Sequence, residues 1–264
     1  MHKDKEVDAV RIFAATPWAL KQAFGFFGLP GGVVALVGGG GKSTLMYFMA
    51  STCAKQGKKV LVTTTTRIYR PTNNLAANMD ALHALWTSGN YGVIGTPVPG
   101  GKKLRTPEKT LWQQAMAAAD VVFIEADGAR HQPVKVPGPE EPVLPDAAEL
   151  VIGVLGLSAI GQPLKYCCFR PEAAAEILGT DVEHILTEED AAQLLASDAG
   201  SRKNLDGRRF CVVLNQCDDG KRRRSADKIA AHLALLGVPQ VVMTAFDPEE
   251  RVHYNQLAGC PAKE

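Results

Sequence analysis

Short apolar runs rich in β-branched residues recur along the chain, separated by segments of helical periodicity. Most of these runs are apolar throughout, without the alternation that is typical of a half-exposed strand. The six strand candidates are residues 33–37, 60–66, 121–125, 151–155, 210–215 and 241–244. Strands that are buried on both faces are typical of a parallel sheet. The pattern therefore predicts a mostly parallel central sheet.

Helical patterns lie between the strand candidates. In the segment 43–56, the side chains of Leu45, Phe48, Met49 and Thr52 fall on one face, and the pattern ends at Gly57, where glycine suits a left-handed cap. Further helices are predicted at residues 173–178, 188–196 and 225–236, with Thr187 as the N-cap of the helix at 188–196. Alternating strands and helices predict an α/β fold of three layers.

A proline-rich passage covers residues 132–145, with prolines at 133, 137, 139, 142 and 145. So many prolines exclude a helix or a central strand. Apolar strand candidates resume on both sides of it, which predicts an ordered loop inside one domain spanning residues 1–264. In such a sheet, ligands bind in the crevice outside the carboxyl ends of the strands. The loops that follow the strands are therefore the place to look for chemistry.

Composition and charge narrow the class of protein. Apolar residues make up 46% and charged residues 22% of the chain, as in an ordinary globular protein. Twenty-nine basic residues against 28 acidic ones leave a net charge of +1, so no overall field favours nucleic acid or a membrane surface as partner. No apolar run approaches the roughly 20 residues that cross a bilayer, and no secretory signal is evident. We expect a cytoplasmic protein.

The strand at 33–37 is followed by a glycine-rich loop and then by an amphipathic helix. The loop residues are Gly38, Gly39, Gly40, Gly41, Lys42, Ser43 and Thr44. In this layout, successive backbone N–H groups and the helix N-terminus bind phosphates, the lysine reaches the outer phosphates and the serine hydroxyl binds Mg²⁺. The usual longer loop would have glycine where Leu36 stands, so this is a shorter type. The pattern predicts a P-loop NTPase-like nucleotide site with Lys42 taking part in catalysis.

Candidate catalytic and metal-binding residues follow the next two strands. Glu125 and Asp127 come at the end of an apolar strand, where a P-loop site holds an acid for Mg²⁺ and the nucleophile. We assign Asp127 to Mg²⁺, together with Ser43, and Glu125 to the activation of water. The threonine run at 63–66 offers Thr65 as a further Mg²⁺ ligand. Threonine is also favoured in strands for purely structural reasons.

The strand at 210–215 ends in Asn215, and Asp218 follows three residues later, the spacing of the Asn-Lys-x-Asp turn of GTP-binding proteins. A carboxylate at that place accepts hydrogen bonds from guanine N1 and its 2-amino group, which adenine cannot supply. Thr244 and Ala245 end the next strand and resemble the Ser-Ala turn that meets guanine O6. These four residues predict a purine site in which GTP is favoured over ATP, although Gln216 replaces the lysine.

Several segments together resemble a known family, the YqeC proteins, described as selenium-dependent hydroxylase accessory proteins. The resemblance lies in VALVGGGGKS at 34–43, VLVTTTT at 60–66, IEADGA at 124–129, FRPE at 169–172 and LNQCD at 214–218. The short glycine loop itself is similar to that of nucleotide-dependent metallocentre chaperones and signal-recognition GTPases. The resemblance implies a bacterial cytoplasmic factor for the maturation of a selenium-dependent molybdenum hydroxylase, with that client enzyme or its cofactor machinery as partner.

Three function classes remain open. The first is a Mg²⁺-dependent NTPase that acts as an accessory factor. The second is an ATP-dependent kinase or ligase whose small substrate is held by Arg130, His131 and Lys135, since the glycine loop also resembles that of amide-forming Mur ligases. The third is a nucleotide-bound scaffold without hydrolysis. The adjacent Cys167 and Cys168 could bind a soft atom, but packing is the expected role of both.

Overall fold

A computed structural model describes residues 11–14 and 31–259 of the chain. Its largest sheet has eight strands in the order β1-β13-β12-β10-β2-β8-β3-β5, and all its neighbours pair in parallel. These strands are β1 (Arg11–Ala14), β2 (Gly32–Gly38), β3 (Val60–Thr64), β5 (Gly92–Val93), β8 (Val121–Glu125), β10 (Leu150–Gly156), β12 (Arg209–Asn215) and β13 (Val241–Ala245). The predicted mostly parallel α/β sheet is confirmed.

Helices cover both faces of this sheet, because its strands are apolar on both faces. The helices are α1 (Lys42–Lys55), α2 (Met79–Thr87), α3 (Lys109–Ala118), α4 (Leu164–Cys167), α5 (Pro171–Leu178), α6 (Glu188–Ala196), α7 (Gly220–Leu235) and α8 (Pro248–Leu257). Along β2, Val34 and Leu36 pack in the core that contains α1, whereas Ala35 and Val37 belong to a cluster on the opposite face. The result is the expected three-layer arrangement.

Each layer has its own apolar contacts. The α1 side of the sheet also packs against α8 through Tyr254. On the other face, α6 and α7 pack against one half of the sheet, and α2 and α3 pack against the other half through Leu82 and Ala115. Two small sheets are added to this core, an antiparallel one of β4 (Arg67–Tyr69), β7 (Lys103–Arg105) and β6 (Thr96–Pro97), and a parallel pair of β9 (Val134–Lys135) and β11 (Cys168–Phe169).

The predicted elements agree with the observed ones to within a few residues, with three differences. The threonine run ends its strand at Thr64, because the chain turns there and starts β4 at Arg67. Helix α7 begins at Gly220, five residues before the predicted start, because Asp219 caps it by accepting from the N–H groups of Lys221 and Arg222. The proline-rich loop contains the short strand β9. The predictions for the N-terminal segment 1–10 and for Cys260 lie outside the described residues.

Within the described ranges, no helix combines the length and the apolar character that crossing a bilayer requires.

Candidate functional site

The carboxyl ends of the parallel strands open on a cavity of about 1010 Å³. Small-molecule sites usually measure roughly 300–1,000 Å³, so this one is at the upper end of the range. Its wall contains the loop residues 39–44 after β2, Glu125 at the end of β8, Asn215 at the end of β12, and side chains of α8. The cavity therefore lies in the crevice where the sequence placed the chemistry.

The glycine loop has a backbone that only glycine accepts. Gly40 and Gly41 have φ angles of 79° and 109°, in the left-handed region. A Cβ atom on Gly40 would lie 2.1 Å from the backbone nitrogen of Gly156, so the loop also packs closely on its neighbour. Gly41 is the N-cap of α1, no side chain caps this helix, and its first turn contains no acidic residue. The first N–H groups of α1 therefore lack side-chain partners, as at helix N-termini that bind anions.

Lys42 is buried at the start of α1 and lies in a chain of charges. Its ammonium group is 2.9 Å from Asp127 Oδ1, and it also donates to the carbonyl of Gly38. Burial alone would lower the pKa of Lys42, but the carboxylates of Asp127 and Glu125 outweigh burial, so this pKa is raised. Lys42 is therefore charged at neutral pH and held at the edge of the cavity.

The other oxygen of Asp127 is equally engaged. Asp127 Oδ2 accepts from the Gly38 N–H at 2.9 Å and lies 3.4 Å from the ammonium group of Lys135. Lys135 is itself buried, donates to the Gly128 carbonyl at 2.7 Å and is 2.8 Å from Glu141. Asp127 therefore contacts two lysines and the start of the glycine loop; its Oδ2 atom accepts a hydrogen bond, whereas its buried Oδ1 atom accepts none and has the ammonium group of Lys42 beside it.

Glu125 has a different contact. Its Oε2 atom accepts the hydroxyl hydrogen of Ser43 at 2.9 Å. Burial raises the pKa of Glu125, while Lys42 and the Ser43 hydroxyl lower it, and the net direction is upward. A serine hydroxyl beside a carboxylate is an all-oxygen donor set, which suits Mg²⁺. The residues predicted for metal thus separate, since Ser43 pairs with Glu125 and Asp127 pairs with lysines.

The predicted Mg²⁺ ligand Thr65 points elsewhere in this structure. Its hydroxyl donates to the carbonyl of Val143 at 2.7 Å, whereas Thr66 lines the cavity. The Thr64 hydroxyl donates to the carbonyl of Glu125 at 2.8 Å and so ties the end of β3 to the end of β8. The threonine run therefore orders these two strand ends around the cavity.

The two turns predicted to hold the base meet in the structure. Asn215 is buried, donates from Nδ2 to the Gly40 carbonyl at 2.7 Å and accepts at Oδ1 from the Thr244 hydroxyl at 2.8 Å. This one side chain joins the glycine loop, β12 and β13. Ala245 follows Thr244 at the end of β13 and is partly buried.

Asp218 reaches the cavity from the turn after β12. Its Oδ2 atom is 2.8 Å from Arg222 and 3.7 Å from Arg251, and the side chain is partly exposed. Gln216, in place of the expected lysine, has a left-handed backbone with φ of 67° and accepts at Oε1 from the Ser158 N–H at 3.2 Å. Its amide therefore holds the neighbouring loop as well as lining the cavity.

Sequence reasoning missed several lining residues. Asn255 of α8 accepts the Thr44 hydroxyl hydrogen at 2.6 Å, and Arg251 and Phe246 also line the cavity. Nothing in the local pattern indicates that α8 returns to the glycine loop. Lys103, by contrast, follows a Gly-Gly turn typical of a hairpin, and that signal could have placed it on a strand paired with β6.

The two adjacent cysteines have structural roles in the described part. Cys167 and Cys168 are buried, and burial raises their pKa values to about 11 and about 12. Their thiols lie near the carbonyls of Gln162 and Phe169 at 3.8 and 3.6 Å. Among the described residues, no group of three or more His, Cys, Asp or Glu side chains is placed to bind a metal ion.

The chain is similar to known proteins over part of its length. A sequence model of the family described as "YqeC protein" matches residues 34–172, more than half of the chain. The "Uncharacterized protein YqeC" of Escherichia coli (strain K12) is 33% identical over 87 residues, which are 33% of this chain and 34% of that protein. The match thus spans about a third of this curated relative (34%). The crystal structure of HypB from Helicobacter pylori in complex with nickel aligns at a TM-score of 0.37 and 12% identity, over 90% of this chain and 89% of that one.

Proposed function

The chain belongs to the YqeC family, and on this premise we propose that it is a nucleotide-binding protein with Mg²⁺-dependent NTPase activity. One observation carries the proposal: a glycine loop opens an uncapped helix, with a buried lysine beside it and a serine–carboxylate pair next to that lysine. Phosphate oxygens would accept from the first N–H groups of α1, which no side chain caps, since the N–H groups of Gly38, Gly39 and Gly40 already donate to Asp127 and to backbone carbonyls.

Ser43 and Glu125 fit a magnesium ion better than Asp127 does. Both oxygens of Asp127 contact cations or the Gly38 N–H, whereas the Ser43–Glu125 hydrogen bond would open to admit a divalent ion. When bound, Mg²⁺ would offset charge on the terminal phosphates. Asp127 would then hold Lys42 in place to contact those phosphates. Glu125 would help to bind the metal and would also be the carboxylate nearest to an attacking water.

GTP is the proposed nucleotide. Asn215 supports this, because it binds both the glycine loop and Thr244 and so fixes the base turn relative to the phosphates. Asp218 supplies the carboxylate that guanine needs, at the rim of the same cavity. For guanine to bind there, Asp218 must share or exchange its contact with Arg222.

The biological role that we propose is that of an accessory factor in the maturation of a selenium-dependent molybdenum hydroxylase in the cytoplasm. It rests on the family resemblance of the glycine loop, the threonine run and the IEADGA segment. A second candidate is an ATP-dependent kinase or ligase, which is favoured by the basic side chains at one end of the cavity.

The test is equilibrium binding of fluorescent GTP and ATP, with Mg²⁺ and with the metal chelated. Loss of the charged contact should make Lys42→Ala weaken GTP binding roughly ten- to hundred-fold. Lys58→Ala, an exposed change after α1, is the matched control and should bind as the wild type does. Unchanged affinity in a folded Lys42→Ala protein would refute the nucleotide site. Binding without turnover would support the scaffold instead of the NTPase.

A further inference from the structure

The end of the cavity on the β3 side is basic. Arg67 follows the threonine run, Lys103 lies on the neighbouring strand β7, Arg130 follows β8, and Arg170 precedes α5. All four side chains line the cavity although they come from four separate segments. Asn215 and Asp218 lie at the other end, because β12 is on the opposite side of β2 from β8 and β3 in the strand order.

Basic side chains outnumber acidic ones in the wall of the cavity. Six basic side chains line it, against the three acidic residues Glu125, Glu141 and Asp218. The basic residues are Lys42, Arg67, Lys103, Arg130, Arg170 and Arg251. The whole chain has a net charge of only +1, so positive charge is concentrated in this cavity. A concave site with walls of one sign attracts ligands of the opposite sign.

Aromatic rings, not carboxylates, hold two of these cations. The ammonium group of Lys103 lies 4.6 Å from the centre of the Tyr69 ring, and the guanidinium of Arg130 lies 5.0 Å from that of Phe169. In the described part of the chain, Arg67, Lys103 and Arg130 form no ion pair with an acidic side chain. They keep their full charge for a ligand, while Arg170 is paired with Glu141.

A nucleoside triphosphate does not account for this group of cations. The glycine loop, Lys42 and the Ser43–Glu125 pair already provide for the phosphates and for Mg²⁺. Arg67 and Lys103 belong to the small sheet beyond β3, outside the loop that surrounds the phosphates. The size of the cavity, about 1010 Å³, leaves room for a second small molecule.

We propose that Arg67, Lys103 and Arg130 bind a second substrate, a small molecule that carries a phosphate or carboxylate group, at the β3 end of the cavity. The Tyr69 ring positions Lys103, and the Phe169 ring positions Arg130. The location next to the terminal phosphate of a nucleotide rests on the proposed function, whereas the anion site itself does not. The ligands of this site are therefore oxyanions of low molecular weight, which guanidinium groups bind through bidentate hydrogen bonds.

The experiment is calorimetric titration with phenyl phosphate and with benzoate as probes, with benzyl alcohol as the uncharged control. The protein is titrated both alone and saturated with a non-hydrolysable GTP analogue and Mg²⁺. We expect one saturable site for at least one of the two anions in both states and none for benzyl alcohol. Arg130→Ala and Lys103→Ala should each weaken that site at least ten-fold, and Arg130→Lys should retain part of the affinity.

The controls separate this site from the phosphate loop. Lys102→Ala, an exposed change beside Lys103, should leave anion binding unchanged. If the wild-type protein binds the probes but not the nucleotide, the proposed function fails and the anion site stands.

The proposal is overturned if neither anion binds. It is also overturned if the GTP analogue displaces the probe and Arg130→Ala has no effect, since the probe would then occupy the phosphate loop. The result would also be contrary if the probes do not bind and Arg130→Ala weakens the binding of GTP more than that of GDP. The cations would then bind the terminal phosphate of the nucleotide itself.

Discussion

At the scale of single residues, the site depends on how two neighbouring acids divide their contacts. Glu125 is the last residue of β8 and accepts from Ser43, whereas Asp127 lies beyond the strand and pairs with two lysines. The sequence correctly brought both acids to the glycine loop. It could not assign their contacts, because the two-residue alternation of a strand ends at Glu125 and the partner Lys135 comes from the later strand β9.

The two acids should respond differently to neutralisation. Asp127→Asn leaves the buried ammonium group of Lys42 without its paired carboxylate and removes one of the two carboxylates beside Lys135, so it should destabilise the fold by about 3–5 kcal/mol. Glu125→Gln should unfold near the wild-type temperature and weaken GTP binding only when Mg²⁺ is present. Thermal unfolding and GTP titration with and without chelator measure both effects. If the Asp127→Asn protein is stable and its GTP binding merely no longer depends on Mg²⁺, Asp127 rather than Glu125 would be the metal ligand.

Asp218 provides the prediction for the base. In Asp218→Asn, one face of the side chain becomes a donor, which opposes the guanine N1–H and 2-amino donors but suits the carbonyl at position 2 of xanthine. The variant should lose at least ten-fold in GTP affinity relative to XTP. Competition between GTP, ATP and XTP on the two proteins tests this. Equal binding of ATP and GTP by the wild type, with no change in the variant, would make this turn structural and favour the ATP-dependent enzyme.

At the scale of elements, the uniformly apolar strands and the helices α1, α5, α6 and α7 were predictable, whereas other helices and the shortest strands were not. The strand candidates and α6 were recognised because burial on both faces, or a strong cap, leaves a clear local pattern. Helices α2, α3 and α8 were missed, as were the short strands β4, β6 and β7. Strands of two or three residues carry too little periodicity to detect, and their pairing depends on chain segments far apart in sequence.

Helix α6 has a measurable cap. Thr187 accepts from the Asp190 N–H, and Asp190 accepts in return from the Thr187 N–H. Thr187→Ala should therefore cost about 1 kcal/mol and lower the melting temperature by roughly 2–4 °C. Thr187→Ser keeps the hydroxyl and is the matched control. Equal melting temperatures of the alanine and serine variants in differential scanning calorimetry would show that the cap contributes nothing.

The same cap should make stability depend on pH. Although partial burial opposes it, the Thr187 hydroxyl and His184 lower the pKa of Asp190 below its ordinary value of 3.8. A carboxyl with a lowered folded-state pKa stabilises the fold above the unfolded-state pKa, and this stability is lost as the pH falls through the folded value. Asp190→Asn should thus be less stable than wild type at pH 7, with the difference shrinking below about pH 4. Urea unfolding at several pH values measures it, and a difference that grows in acid would contradict the assignment.

At the scale of the whole molecule, all five described cysteines are buried in the three-layer core or its loops. Burial raises the pKa of the Cys53 thiol to about 11, and the pKa of Cys211 is raised further in the same direction. In a Cys260→Ser protein, these thiols should react with a disulfide reagent at pH 8 only as fast as the protein opens, and all five should react in urea. Rapid reaction of the native protein would show that one of them is accessible.

The architecture as a whole follows from a parallel sheet whose strand ends all face one crevice. That crevice brings together a glycine loop, a serine–carboxylate pair, the turn after β12 that Asn215 ties to the glycine loop, and a separate basic end. The first three could be anticipated because each directly follows a predicted strand. The basic end could be anticipated only in part: Arg67 and Arg130 follow predicted strands, whereas Lys103 and Arg170 come from short strands and loops whose positions only tertiary packing determines.

The most direct test of the nucleotide site is a crystal structure of the protein with a non-hydrolysable GTP analogue and Mg²⁺. We predict phosphates on the N–H groups of residues 41–44, the metal between Ser43 and Glu125, and guanine beside Asn215 and Asp218. Nucleotide bound elsewhere, or a glycine loop that remains closed on Lys42 and Asp127 at saturating nucleotide, would contradict it.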